Sequence, residues 1–150
     1  MKRKYPPLGH YFKVEVDGFS DELGFQSVSR LSSSVEFEDI REGGNQMVAY
    51  KAPVRITYSD VTLKRGLLAG SSLVATWIRR AMEQFYFEPR NVTITLLDSR
   101  SGSQQMPLAT WQLLQAVPKS WELSDLNAQE NAIAIESLVL TFQELKQKTS

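Results

Sequence analysis

A chain of 150 residues with 42% hydrophobic and 23% charged residues fits one globular domain, spanning residues 1–150, that can bury its own core. Its 17 basic and 17 acidic residues cancel, which disfavours a general nucleic-acid binder because such proteins carry a basic excess. The absence of cysteine excludes disulfides, thiolate catalysis and cysteine-ligated zinc. No apolar run is long enough to cross a membrane and the start lacks a secretory signal, so no membrane insertion is expected.

Alternation of apolar and polar residues predicts strands that are buried on one face only. The pattern is found in YFKVEV, SVEFED, PVRITYS and NVTITLL, at residues 11–16, 34–39, 53–59 and 91–97. Strands with one polar face are typical of antiparallel sheets, since the polar side can remain solvated. The sequence therefore predicts a mainly β protein with antiparallel sheets.

The longest stretch without periodicity follows the second of these strands and runs from about residue 41 to residue 53, REGGNQMVAYKAP. A loop of this length that carries its own apolar residues is typically functional or mobile. The residues singled out in it are Arg41, Glu42, Gly43, Gly44, Asn45, Met47 and Tyr50.

One segment predicts an α-helix, from about residue 72 to residue 86. Leu73, Trp77, Ala81 and Phe85 recur every four residues, as one face of a helix requires. The apolar stripe is wide, which favours a single helix packed against the open end or side of the β structure.

The sequence offers no reaction centre, and we expect no catalytic residues, no metal site and no cofactor. The single histidine, His10, has no second histidine or cysteine beside it, and a surface or interface position is favoured. Glu36, Glu38, Asp39 and Glu42 could be imagined as a glycosidase pair or a calcium site, but Glu36 and Glu38 occupy the polar face of one predicted strand. A solvated face is the favoured interpretation, and an enzyme is not expected.

A series of phrases in fixed order spans nearly the whole chain. They are FKVEVDG (12–18), FQSVSRL (25–31), IREGGN (40–45), YSDVTLKRG (58–66), VTITLLD (92–98), TWQLLQAVPKSW (110–121), LNAQEN (126–131) and AIAIESLVLTF (132–142). The ordered set resembles the tail-tube protein family of contractile phage tails and phage-derived injection systems. One departure is Arg30, where relatives commonly have a glycine, the residue that best tolerates positive φ.

The resemblance implies a fold and an assembly. The fold would be a β-barrel or sandwich of two packed antiparallel sheets with the helix at its flank. Hexameric rings would stack into a hollow tube inside a contractile sheath, and the loop at 41–53 would reach a neighbouring ring or subunit. The family motif Leu63, Lys64, Arg65 and Gly66 would follow a strand and lead toward the helix. The related hemolysin-coregulated proteins of type VI secretion share the fold, with a weaker sequence match.

The expected function is that of a structural inner-tube subunit. Its expected partners are copies of itself, related tube paralogues, and sheath and baseplate proteins, with protein or DNA as cargo in the lumen. Assembly in the cytoplasm would precede incorporation into a particle. Two questions remain open: whether the particle is a phage tail or an injection system, and whether the chain builds the bulk tube or the first layer on the baseplate. The alternative function is that of a monomeric β-sandwich binding module. Strands with charged alternate faces, marked by Lys13, Glu15, Glu36 and Glu38, are expected to line a lumen or a subunit seam.

Overall fold

The computed structural model describes residues 10–20, 22–41, 49–66, 73–98, 106–125 and 134–148. These ranges contain ten strands and one helix, and every strand pair is antiparallel. The elements are β1 His10–Val16, β2 Glu22–Phe25, β3 Ser27–Ser29, β4 Ser33–Arg41, β5 Ala49–Tyr58, β6 Val61–Gly66, α1 Leu73–Gln84, β7 Arg90–Asp98, β8 Met106–Leu123, β9 Ile135–Thr141 and β10 Glu144–Lys148. The predicted mainly β fold with one helix is confirmed.

Strand β8 joins two sheets, because its first half pairs with β7 and its second half with β9. Sheet I has the strand order β2-β1-β7-β8-β10, and sheet II has the order β8-β9-β6-β3. The strand bends near Gln115, whose φ of 56° is left-handed and whose backbone N–H donates to Asn91 Oδ1 at 3.1 Å. A register shift in the β7–β8 ladder at the same place adds to the bend.

The chain also crosses between the sheets at Gln26, between β2 and β3. The backbone N–H of Gln26 donates to the carbonyl of Lys64 at 2.8 Å and so ties the crossing to β6. β2 and β3 are the terminal strands of the continuous strand order, and they do not pair with each other among the described strands. The sheets therefore form a sandwich rather than a closed barrel.

The core lies between the two sheets and under the helix. The buried side chains come from alternate strand positions and from one face of α1, as burial on a single side requires. They include Val14, Val16, Val92, Ile94, Leu113, Val61, Leu63, Leu138, Leu140, Val74, Trp77 and Ile78. Each fully buried side chain of this size stabilises the fold by about 1.5–3 kcal/mol.

The helix prediction is confirmed with shorter bounds, since α1 runs from Leu73 to Gln84. Phe85 follows the last turn with a left-handed φ of 53°, and the residue is 85% exposed. The indole N–H of Trp77 donates to the carbonyl of Glu88 at 2.7 Å, which fixes the helix to the segment that enters β7. With 12 residues, α1 is too short and too polar to span a membrane, and it is the only helix in the described ranges.

The predicted loop at 41–53 was too long. β4 continues through Arg41, and β5 begins at Ala49, so Tyr50 and Pro53 belong to a strand. The remaining residues that we singled out, Glu42, Gly43, Gly44, Asn45 and Met47, lie outside the described residues.

Candidate assembly surface

β4 and β5 form a hairpin that stands apart from both sheets. The two strands pair from Ser33 with Tyr58 to Arg41 with Ala49, and they pair with no other described strand. Every residue of β4 is exposed. At the base of the hairpin the ring of Tyr58 lies 5.7 Å from the ring of Phe142, which connects it to the end of β9.

One face of the hairpin is apolar and open to solvent. Val35 lies opposite Ile56, and Phe37 lies opposite Pro53 across a register shift that leaves Val54 as an extra residue in β5. The exposed fractions of Val35, Phe37 and Ile56 are 48%, 55% and 57%. The prediction that these strands are buried on one face is therefore wrong for the single chain. A contiguous exposed apolar patch of this kind marks a surface that contacts another molecule.

The opposite face of the hairpin is charged in its middle and apolar near the tip. Glu36 lies opposite Arg55, and the two side chains form an ion pair at 3.6 Å. Both are more than half exposed, so the pair contributes little to stability. Ile40 and Tyr50, opposite each other farther along, are 47% and 54% exposed. This face offers recognition by charge and a second small apolar contact.

The four residues expected at a lumen or seam do not come together within one chain. Lys13 and Glu15 lie on β1 and form an ion pair at 3.5 Å on the side of sheet I that faces away from the core. Glu36 and Glu38 lie on the separate hairpin. Their role at a lumen or seam stays a prediction.

The family motif, Leu63 to Gly66, lies at the end of β6, and its residues have different environments. Leu63 is fully buried in the core, and Lys64 is exposed while its carbonyl accepts the Gln26 N–H. Gly66 ends the strand opposite Ile135 of β9. The motif was expected to follow a strand, but its four residues are themselves the last residues of β6, and α1 is the next described element.

Arg65, the third residue of the motif, is held in a largely buried polar network. Its Nε donates to Glu136 Oε2 at 2.9 Å, and the indole N–H of Trp121 donates to Glu136 Oε1 at 2.7 Å. The side chains of Arg65 and Glu136 are 14% and 12% exposed. The Arg65 guanidinium also lies 5.3 Å from the ring centre of Phe25. The network therefore joins β6, β8, β9 and β2.

A second arginine, Arg90, fixes the turn between β1 and β2. Its guanidinium stacks over the ring of Phe19 at 4.2 Å, donates from Nη1 to the carbonyl of Asp17 at 2.9 Å and donates from Nη2 to Glu88 at 2.7 Å. Gly18 has a φ of 87°, and a Cβ there would lie 2.3 Å from Arg90 Nη1. The Asp17-Gly18 pair is a turn signal in the sequence, but nothing local points to Arg90, 73 residues away.

Asp60 lies in the turn between β5 and β6, and its pKa is shifted below the ordinary aspartate value. A hydrogen bond from Lys119 lowers the pKa of Asp60, and burial opposes this only partly. The ammonium of Lys119 lies 2.5 Å from Asp60 Oδ2 and so joins this turn to the second half of β8. In the described part of the chain no group of three histidine or carboxylate side chains is arranged to hold a metal ion.

Comparison with known proteins gives a consistent result. The family model described as T4-like virus tail tube protein gp19 matches residues 8–146. Among curated protein sequences no significant match is found. The resemblance expected from the ordered phrases is confirmed over nearly the whole chain.

Solved structures with a similar fold include chains of an extracellular contractile injection system, of the anti-feeding prophage and of Hcp proteins. The chain is similar to one from the sheath–tube complex of an extracellular contractile injection system, PVC, in the extended state, with 25% identity, 98% of this chain and 94% of that chain covered, and a TM-score of 0.75. A chain of the anti-feeding prophage cap shares 23% identity over 100% of this chain and 95% of that chain, with a TM-score of 0.75. Hcp1 from Salmonella typhimurium shares 11% identity over 93% and 86%, with a TM-score of 0.59, and shows the fold alone.

Proposed function

Because the chain belongs to the T4-like virus tail tube protein gp19 family, it is an inner-tube subunit, and we propose that it builds hexameric rings that stack into the tube of a contractile injection system. An injection system is favoured over a phage tail by the similarity to a chain of the PVC sheath–tube complex. The role is structural and does not involve catalysis.

The observation that carries self-assembly is the exposed apolar face of the β4–β5 hairpin. Val35, Phe37 and Ile56 are each about half exposed, and burying the remainder of each would contribute about 1 kcal/mol. An isolated two-stranded hairpin is only marginally stable in water, so a neighbouring copy that covers this face would also order the hairpin. A contact between different surfaces of two copies closes into a ring when the rotation fits.

The tube has further proposed partners. Sheath subunits would surround it, baseplate proteins and tube paralogues would bind its ends, and cargo, protein or DNA, would pass through its lumen. A position as the first layer on the baseplate is included in this proposal. Assembly would take place in the cytoplasm before the particle is released.

Negative-stain electron microscopy with mass measurement by light scattering tests the proposal. The purified chain at high concentration should form six-fold rings or hollow filaments. The double substitution Phe37→Ser with Ile56→Ser should leave the circular dichroism spectrum unchanged and abolish the rings. Met82→Gln, at an apolar helix residue that is 41% exposed, should leave them intact.

The outcomes separate the alternatives. A chain that stays monomeric at every concentration, and also when mixed with baseplate components, would contradict the tube proposal and return the chain to the binding-module alternative. Rings that survive the hairpin substitutions but are lost in Met82→Gln would show that the subunit contact lies on the helix and not on the hairpin.

A further inference from the structure

Strand β10 gives sheet I an edge that the described chain leaves unpaired. β10 pairs with the first half of β8 on one side and with no described strand on the other. Leu145 lies opposite Leu113, which is fully buried in the core, so odd-numbered positions of β10 face inward. Lys146 and Lys148 therefore point to the outer face of sheet I, and both are exposed.

The outer face of this edge carries Glu144, Lys146 and Lys148, which sum to a positive charge, and its inner face carries Leu145 and Gln147. The free edge of β4 offers acidic residues on one face and apolar residues on the other. Glu36 and Glu38 lie on the charged face of the hairpin, while Val35 and Phe37 lie on its apolar face. If β4 were added beside β10, the glutamates would continue the lysine face. The apolar pair would continue the face that carries Leu145. Charge and apolarity match at once because both strands alternate with the same period of two.

The other edge of the hairpin does not fit. β5 carries Arg55 on the charged face of the hairpin, where it would lie beside Lys146 or Lys148. Like charges on neighbouring strands are destabilising. Within one chain β4 and β10 belong to separate sheets, so the complement must come from a second copy.

We propose that β4 of one subunit pairs with β10 of its neighbour, so that sheet I of each copy continues into the hairpin of the next. The proposal rests on the ring assembly proposed above and identifies its seam. Each copy provides one acidic edge and one basic edge, so the contact is head-to-tail and propagates around a ring. It also covers a free sheet edge, which soluble proteins otherwise have to protect.

Charge reversal and rescue test the pairing. Glu38→Lys alone, and Lys146→Glu with Lys148→Glu alone, should each raise the concentration needed for assembly about tenfold, since an attractive cross-strand pair becomes repulsive. Glu38→Lys combined with the one lysine reversal that lies opposite it, Lys146→Glu or Lys148→Glu, should restore assembly, because Glu36 then keeps the other lysine as its partner. Glu36 is left unchanged because it pairs with Arg55 inside the hairpin.

A matched control changes the same charge elsewhere. Arg79→Glu with Arg80→Glu alters the net charge as much as the β10 pair does, at exposed positions of α1. It should leave the assembly concentration unchanged. Defects that are not rescued by the combination, or an equal defect in the control, would overturn the pairing.

Disulfide trapping separates this inference from the ring proposal, because the chain contains no other cysteine. Glu38→Cys is combined with Lys146→Cys or with Lys148→Cys, which sample the two strand directions. Under oxidation one of the two should give a ladder of cross-linked oligomers on a non-reducing gel, and the single variants should stop at dimers. Rings without a ladder would overturn the seam and leave the ring proposal standing. A ladder without rings would support the seam and contradict the rings, and the absence of both would overturn both.

Discussion

Replacing Arg65 by methionine should lower the free energy of unfolding more than any surface substitution does. Methionine keeps most of the length of the side chain and removes the charge that neutralises Glu136. The two side chains are only 14% and 12% exposed and meet at 2.9 Å, so Glu136 would keep a buried charge with Trp121 as its remaining hydrogen-bond donor. Removing one partner of such a pair costs about 3 kcal/mol.

The measurement is thermal and urea unfolding followed by circular dichroism, on unassembled protein because ring formation would itself raise the apparent stability. For a chain of this size, about 3 kcal/mol corresponds to a Tm lower by about 6–12 °C. Arg55→Met is the matched control. Its partner Glu36 is 3.6 Å away and both side chains are more than half exposed, so the loss should stay below about 1 kcal/mol.

The double variant Arg65→Met with Glu136→Leu tests whether the loss of stability comes from the unpaired Glu136 carboxylate. Without either charge the penalty of an unpaired buried carboxylate disappears, so the double variant should be more stable than Arg65→Met alone. A loss below about 1 kcal/mol in Arg65→Met, or a double variant in which the two single losses simply add, would show that Glu136 is not held by Arg65 in the folded chain.

Two further predictions concern single residues of the described fold. Arg30 is exposed and has a left-handed φ of 69°, so Arg30→Gly should raise the free energy of unfolding by up to about 1 kcal/mol, with Arg30→Ala showing no such gain in urea unfolding. Lys119 lowers the pKa of Asp60 in the folded chain, so this contact stabilises at neutral pH and the stabilisation is lost as the pH falls through the ordinary aspartate range and below. Lys119→Met should therefore reduce the difference in stability between pH 7 and pH 3, and an unchanged difference would contradict that assignment.

The sequence predicted the strands whose alternation is regular. The segments at 11–16 and 91–97 lie in β1 and β7, which pair with each other in register. β8 was not predicted as a strand, because its alternation is interrupted by the left-handed Gln115 and by a second register shift between Pro118 and Ser120. Bends of this kind are set by the strands on either side, which the local sequence does not show.

The start of β5 was missed for a different reason. Residues 41–53 show no regular alternation, so they were assigned to a loop. Proline also removes a backbone donor and is uncommon inside strands. In the structure Pro53 lies at a register shift on a strand whose other edge is unpaired among the described strands, where proline is tolerated. Periodicity also identified the apolar faces of β4 and β5 without showing what covers them. The Arg65–Glu136 pair spans 71 residues and left no local signal.

The separation of the hairpin from the sandwich has a consequence for how this chain can assemble. The core residues and the Arg65 network hold the two sheets and α1 together without any contribution from Val35, Phe37 or Ile56. The free energy of folding and the free energy of ring formation therefore depend on different residues. A chain of this design can fold before it meets its neighbours, since the sandwich needs nothing from them. In the proposed ring the hairpin, which is marginal alone, would gain its order from the contact it makes. Assembly would then order the element that forms the proposed seam, so a copy that has joined would be better prepared to hold the next one than a copy in solution.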